Sequence, residues 1–391
     1  MQFSAAMDLR ERFPLTVDPD DAGLRLDQFF ARKLPEISRA RWVRLIEKGF
    51  VVIDDKNNSN PAQRLKVNSR VTLAPDAPLL DEKGSEESKN FTPEFLGQAP
   101  EIIYEDTDLL VVHKPVGLAV HPGAGMPWNQ TLVAWAYASG KLGKADSKDF
   151  LAWGDEILEE GRPGIVHRLD MPTSGLMVIA KNPSVHAALS EQFRTREASR
   201  LYFALVPAQA LKLMNSKDSL PQRLEAFLKL EPCPIALRKS PEGFMSFACF
   251  LERDPVNRTK FRVSKTDKGA KKALMHLVFS PAQMGPKPEF AWAEVKLETG
   301  RTHQIRVQLS FLNLAILGDG VYFGEKFERL MLHAHTLLFT HPKTKDEMKF
   351  SAPFPFDFTK HNLIAPKSRI LEMLPEKISE AEPIDPDFDD S

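Results

Sequence analysis

The stretch Arg162-Pro163-Gly164-Ile165-Val166-His167-Arg168-Leu169-Asp170-Met171-Pro172-Thr173-Ser174-Gly175 runs straight into Leu176-Met177-Val178-Ile179-Ala180. The second piece is an apolar run bounded by turn formers, short enough for a buried strand. Asn182 is placed to cap a helix with Pro183 in its first turn, and Val185, Leu189 and Phe193 mark that helix's buried stripe. Leu201 to Val206 reads as the next strand. Farther on, Ala291, Ala293, Val295 and Leu297 alternate with Trp292, Glu294 and Lys296, the pattern of a half-buried strand. Strands and helices interleave, so the pattern by itself supports a domain of mixed α and β structure.

Asp170 then falls on a polar loop between two apolar segments that belong in a core, which holds a carboxylate rigidly at a cleft edge. The same residue also suits a simple turn, since Asp accepts from nearby backbone N–H groups. Downstream, Thr299-Gly300-Arg301-Thr302-His303-Gln304-Ile305-Arg306-Val307-Gln308-Leu309 leads into a helix, because Ile305, Leu309 and Leu312 have helical spacing. Arg301 stands at that strand-to-helix junction, from which a guanidinium can reach a carboxylate such as Asp170 and orient it. Upstream, Ile102–Tyr104 and Leu109–Val112 read as strands, broken by Lys114-Pro115 and His121-Pro122-Gly123.

The chain has 391 residues, of which 42% are hydrophobic, enough for a sizeable core and two or three domains. The 2 cysteines, Cys233 and Cys249, supply neither a disulfide framework nor a Cys-rich zinc module. The N-terminus is mixed and charged, and no run approaches a membrane span, so a cytoplasmic protein without a membrane partner is expected. A total of 52 Lys and Arg against 53 Asp and Glu argues against nucleic acid until the charge is mapped. Between Leu24 and Leu73 there are 11 basic and 5 acidic residues, a net charge of +6. Acidic runs follow at 81–100, read as a linker, and at 366–391, read as a solvated tail broken by Pro383 and Pro386. The expected division is an N-terminal extension at 1–20, a small αβ module at 21–80, the linker, a large domain at 101–365 and the tail. In the module, Leu26, Phe29 and Phe30 fit one short helix, and Ser38 caps a second from Arg39 to Lys48. Trp42, Leu45 and Ile46 form the apolar stripe of that second helix. Arg39, Arg41, Arg44 and Lys48 remain for a phosphate-binding face, although an ordinary charged surface has the same pattern.

Leu24-Arg25-Leu26-Asp27, Ile37-Ser38-Arg39-Ala40-Arg41 and Leu45-Ile46-Glu47-Lys48-Gly49 resemble the small RNA-binding domain of a ribosomal small-subunit protein, with Asp54-Asp55 in place of the family's usual Asn-Gly turn. The large domain resembles the pseudouridine synthases that include the bacterial large-subunit rRNA enzymes. The matching stretches are Ile103-Tyr104-Glu105-Asp106, His113-Lys114-Pro115-Val116-Gly117, His167-Arg168-Leu169-Asp170 with Thr173-Ser174-Gly175, Gly300-Arg301-Thr302-His303-Gln304-Ile305-Arg306, Leu332-His333-Ala334 and His341-Pro342. The resemblance implies an α+β fold with a mixed, largely antiparallel central sheet. It implies Asp170 as nucleophile, Tyr202 stacking on the flipped uracil, Arg301 salt-bridging Asp170, and Arg168, beside His167, entering the RNA stack. In that family the uracil is detached, rotated and rejoined to ribose through carbon, with no metal and no organic cofactor. Departures are Arg200-Leu201-Tyr202 for Lys-any-Tyr, Gln308 for a common His, and an insertion at about 208–245. The expected partner is RNA, ribosomal rather than transfer RNA, and the expected state is a monomer. Two rivals stand beside this reading. One is a metal hydrolase using the large domain's histidines, which lack H-E-x-x-H spacing. The other is an inactive RNA-binding or ribosome-assembly factor.

Overall fold

In the computed structural model the described residues are 12–34, 42–43, 45–46, 49–58, 60–75, 77, 95–122, 127–142, 162–215, 235–240, 243–283, 287–358, 363 and 368–370. Arg39, Arg41, Arg44 and Lys48, most of the 81–100 linker, the middle of the 208–245 insertion and nearly all of the 366–391 tail lie outside them. Two compact units divide the chain. The first comprises Met1–Phe95, His121–Asn129 and Val133–Gly164, and the second comprises Leu96–Val120, Gln130–Leu132 and Ile165–Ser391.

In the first unit, four short antiparallel strands, β1 (Leu15–Thr16), β2 (Val51–Ile53), β3 (Lys56–Asn58) and β4 (Arg70–Leu73), pair in the order β1-β4-β2-β3. Helix α1 (Leu26–Lys33) buries Leu26, Phe29 and Phe30, the residues whose spacing marked it. Phe30 stacks on Trp42 with ring centroids 4.0 Å apart, and Leu45, Ile46, Val51 and Val71 complete the core. The two-residue turn joining β2 to β3 is Asp54-Asp55, with φ of 50° and 65°. Those are the angles for which Asn-Gly is the usual solution. Here the Asp54 carboxylate accepts from the Ser69 hydroxyl at 3.0 Å and the Arg70 amide at 2.8 Å, which offsets part of the strain.

The second unit is built on an 11-stranded sheet. Its strands are β5 (Glu101–Glu105), β6 (Leu109–Lys114), β7 (Ser174–Ala180), β8 (Ser199–Pro207), β9 (Ile235–Lys239), β10 (Met245–Arg253), β11 (Phe261–Val263), β12 (Lys271–Pro281), β13 (Phe290–Leu297), β14 (Leu332–Thr340) and β15 (Glu347–Ser351). They run in the order β11-β10-β12-β13-β8-β14-β7-β6-β5, with β9 beside β10 and β15 beside β14. Among the strands of the described residues only β7 and β14 pair in parallel, so the sheet is mixed and largely antiparallel. Every residue of β7 is buried, as a continuous apolar run flanked by neighbours on both sides requires. At the β7–β14 contact, Gly175 has φ 127°, and a Cβ there would lie 2.2 Å from the Ala334 carbonyl oxygen, so only glycine fits.

Helix α2 (Pro183–Arg194) starts as the sequence indicates: the Asn182 side chain accepts from the Val185 amide at 3.0 Å. Its buried residues are Val185, Leu189 and Gln192, with Phe193 only half-buried. Gln192 replaces Phe193 in the stripe because its amide exchanges two hydrogen bonds with the Thr340 backbone, at 2.7 and 2.9 Å. Helix α3 (Gln304–Phe311) follows β13 and carries the remaining site residues.

Candidate active site

The strand order β13-β8-β14-β7 brings together segments far apart in sequence. The loop before β7 supplies Asp170, β8 supplies Tyr202, and the β13–α3 junction supplies Arg301, His303 and Arg306. All line one pocket, of about 50 Å³, together with Arg168, Arg200 and Leu332.

The Asp170 loop is held from behind. Thr173 donates its amide to the Asp170 carbonyl at 3.0 Å, and the Gly117 amide bonds the Met171 carbonyl at 2.9 Å. Lys114 is fully buried and donates to the carbonyls of Leu118, Pro115 and Met171 at 2.8, 2.9 and 3.2 Å. Burial lowers its pKa to about 7, against the opposing pull of Asp170.

The carboxylate itself meets Arg306, whose Nη1 donates to Asp170 Oδ2 at 3.0 Å. The other edge of the same guanidinium forks onto Asp319, with Nε to Oδ2 at 2.8 Å and Nη2 to Oδ1 at 2.9 Å. Asp319 is 0% exposed and also accepts from the Val321 and Tyr322 amides. Burial alone would lower the pKa of Arg306, but Asp319 and Asp170 raise it overall, so the guanidinium stays charged. His303 Nε2 lies 3.9 Å from Asp170 Oδ2, and its Nδ1 shares a 2.9 Å hydrogen bond with the Tyr322 hydroxyl. Burial lowers the His303 pKa, with Asp170 opposing it. His303 sits at φ 57°, just ahead of α3. Gln304 fixes this junction: its side chain accepts from the Arg301 amide at 3.0 Å and the Thr299 hydroxyl at 2.9 Å, and donates to the Leu274 carbonyl at 3.0 Å.

Two expectations are corrected. The pairing with Asp170 expected of Arg301 is made by Arg306, five residues into the same motif, while Arg301 lines the pocket and donates its Nε to the Lys272 carbonyl at 2.9 Å. The left-handed turn at His303 and the first turn of α3 aim Arg306, rather than Arg301, at the carboxylate. His167 does not face the pocket: it is buried, its Nε2 accepts from the Val178 amide at 3.1 Å, and its ring lies 4.6 Å from that of Phe193. Burial, helped by Arg200, lowers its pKa to about 3, so it is a neutral prop for β7. Arg168, one residue on, is exposed at the pocket. Tyr202 is nearly buried, and burial raises its pKa. Asp319 and Tyr322 were missed from sequence, although Gly318-Asp319-Gly320 offered a polar turn as a hint. Of the departures, Gln308 is buried and donates to the Phe247 carbonyl at 3.0 Å. The Arg200 guanidinium lies over Phe193, and a Cβ on Gly300 would come within 2.9 Å of its Nη1.

Among the described residues, Asp106, Asp108 and His341 form one cluster with metal-ligand groups close together. It does not suit an ion: His341 Nδ1 accepts from the Lys343 and Thr344 amides, so Nε2 carries the proton it gives to Asp106 at 3.0 Å.

The RNA pseudouridylate synthase family matches residues 108–311, which hold Asp170, Tyr202, Arg301 and Arg306. The chain belongs to that family. The synthase is 33% identical over 375 residues to the ribosomal large subunit pseudouridine synthase D of Neisseria meningitidis serogroup A, covering 91% of this chain and 82% of that protein. It is 32% identical over 359 residues to an uncharacterized RNA pseudouridine synthase of Helicobacter pylori, covering 90% of this chain and 94% of that one. The solved structure of human RNA Pseudouridylate Synthase Domain Containing 1 covers 70% of the synthase and 93% of its own chain, with a TM-score of 0.46 and 20% identity. The synthase is an RNA-modifying isomerase. Among its described residues no helix is long and apolar enough to cross a membrane.

Proposed function

We propose that this synthase converts uridines of large-subunit ribosomal RNA into pseudouridine, with Asp170 as the nucleophile. The observation that carries the reading is the Asp170 carboxylate, fixed 3.0 Å from Arg306 in the pocket that Tyr202 also lines. In this reading the carboxylate forms a covalent adduct with the target nucleoside, the N1–C1′ bond breaks and the uracil turns, C5 then bonds C1′ and the carboxylate is released, and the C5 proton passes to solvent while N1 takes one up. Arg306 orients the carboxylate, and Arg301 contributes to the same pocket wall. Tyr202, whose pKa burial raises, remains a neutral phenol at physiological pH and acts by stacking on the uracil. Arg168 fills the gap that the flipped uridine leaves, offsetting an unstacking cost of a few kcal/mol.

Ribosomal rather than transfer RNA is favoured by the relative named for the large ribosomal subunit and by the basic module at 21–80. In that module Arg39, Arg41, Arg44 and Lys48 serve phosphate contacts. A monomer working in the cytoplasm completes the reading. The test is to map pseudouridines in total RNA from a deletion strain and its parent, and then to assay the purified protein on RNA from the deletion strain. Wild type restores the missing sites, and Asp170→Asn should form none while retaining most of its RNA affinity. Pseudouridine formation by Asp170→Asn would remove Asp170 from the nucleophile's role. Sites missing from transfer RNA alone would overturn the substrate.

A further inference from the structure

One residue beyond Tyr322, whose hydroxyl bonds the pocket residue His303, a large apolar side chain points into water. Phe323 is 84% exposed, and its backbone has φ 62°, a conformation that costs a bulky residue strain. Nothing loose explains it. The preceding residue, Tyr322, is buried, its carbonyl accepts from the Ser310 hydroxyl at 3.1 Å, and its own hydroxyl bonds His303 and the Phe261 amide. The following residue, Gly324, donates its amide to the Asp319 carbonyl at 2.9 Å, and a Cβ on it would strike the Ile316 carbonyl at 1.9 Å. The segment is therefore pinned on both sides of Phe323, which holds the ring outward against both the hydrophobic effect and backbone preference.

The ring also has a cation against it. Lys260 Nζ lies 4.1 Å from its centroid, on the loop between β10 and β11. That loop belongs to a segment, Arg253 to Lys272, with 8 basic and 2 acidic residues; even with Arg262 paired to Glu252 at 2.9 Å a basic surplus remains, so the surroundings suit a polyanion better than an apolar protein surface. The connection to the chemistry is short, since Tyr322 bonds His303, which stands 3.9 Å from Asp170.

We propose that Phe323 and Lys260 form a stacking platform for an unpaired nucleobase of the RNA, next to the uridine being modified. The ring offers a face to the base, and the ammonium lies where the adjoining phosphate runs. This rests on the synthase reading above, and adds to it a subsite that selects RNA with a single-stranded segment beside the target.

The experiment uses the full chain and two probes. One is an in vitro transcript of large-subunit ribosomal RNA; the other is a single-stranded oligoribonucleotide with one 2-aminopurine. Phe323→Gly removes the ring and relieves the positive φ, whereas Phe323→Tyr keeps the ring. Phe323→Gly should bind the transcript roughly 5- to 100-fold more weakly and lose 2-aminopurine quenching, while melting at the same or a higher temperature. Phe323→Tyr should bind and quench as wild type does. Equal binding by Phe323→Gly, with wild type still forming pseudouridine, would overturn the platform alone and leave the exposed ring to a protein partner. A tyrosine variant as weak as the glycine one would overturn it too. A wild-type protein that binds neither probe and forms no pseudouridine would bring down both readings.

Discussion

At the residue scale, one guanidinium does two jobs. Arg306 gives one edge to Asp170 and forks the other onto Asp319, a carboxylate with no access to water. Removing the fork leaves a buried charge without its partner, which costs about 3–5 kcal/mol where it has been measured. Lysine cannot restore it, because an ammonium has no planar fork to match two carboxylates. Arg306→Lys should therefore lower the melting temperature and reduce kcat severely. Arg301→Lys, which leaves the Asp170–Arg306–Asp319 chain intact, should change stability little; a larger loss from Arg301→Lys in both melts and turnover would reverse the assignment. Lys114 gives a second test, through pH. Its pKa falls from 10.5 to about 7 because it is buried. Below about 7 it is protonated whether folded or unfolded, and above 10.5 it is neutral in both states. Between those limits the unfolded chain holds more protons, so this group makes stability rise with pH. In thermal melts from pH 7 to 9, wild type should gain on Lys114→Met, and a constant difference would contradict the shift. The sequence motif brought the right cluster to view but not the right partner. Arg301 and Arg306 are equally plausible on a linear string, and it is the fold that brings Arg306 to Asp170, with its other edge held by Asp319.

At the scale of elements, periodicity carried most of the reading. The apolar run at 176–180 is β7, the stripe at 26–30 is α1, and the Asn182 cap opens α2. The misses were polar residues buried by specific partners. Gln192 and His167 satisfy backbone groups of strands β14 and β7, a role that hydrophobic pattern cannot register. The β2–β3 turn shows a sequence departure turned into geometry. Asp54 and Asp55 both adopt positive φ, yet only Asp54 is repaid by hydrogen bonds, to Ser69 and Arg70. Asp55→Gly should consequently stabilise the hairpin by roughly 0.5–1 kcal/mol, since glycine takes that backbone region without steric cost. Asp54→Gly frees the backbone but loses both bonds, so it should stabilise less or destabilise. Melting curves of the two variants give the order, and a more stable Asp54→Gly than Asp55→Gly would refute it.

For the whole molecule, a net charge of -1 concealed opposed segments, and the structure refines which of the basic residues are available to RNA. Counting from Leu24 to Leu73 gave a surplus of six that already sets Arg25 against Asp27, but Arg32 and Lys33 are committed to carboxylates outside the count. Arg25 pairs with Asp27 at 3.0 Å, Arg32 with Asp21 at 3.0 Å, and Lys33 with Asp18 and Asp21 at 2.7 and 2.8 Å. Asp18 and Asp21 lie just before the counted stretch, which is why a window chosen by composition overstated the free charge. A cation already paired has little further counterion to release when a phosphate arrives, whereas an uncommitted one releases about 0.7–0.9 of an ion. The phosphate-binding role proposed for Arg39, Arg41, Arg44 and Lys48 thus predicts a specific contrast in RNA affinity between about 50 and 200 mM salt. Replacing those four with Ala should flatten the slope of log K against log salt by up to about 3 and weaken binding most at low salt. Lys33→Ala should leave the slope nearly unchanged, and both proteins should still modify a short RNA containing the target uridine, because Asp170 belongs to the other unit. An unaltered slope in the fourfold variant would remove RNA binding from this module, and a Lys33→Ala slope as flat as the fourfold variant's would mean that the cations paired with Asp18 and Asp21 also meet the phosphates.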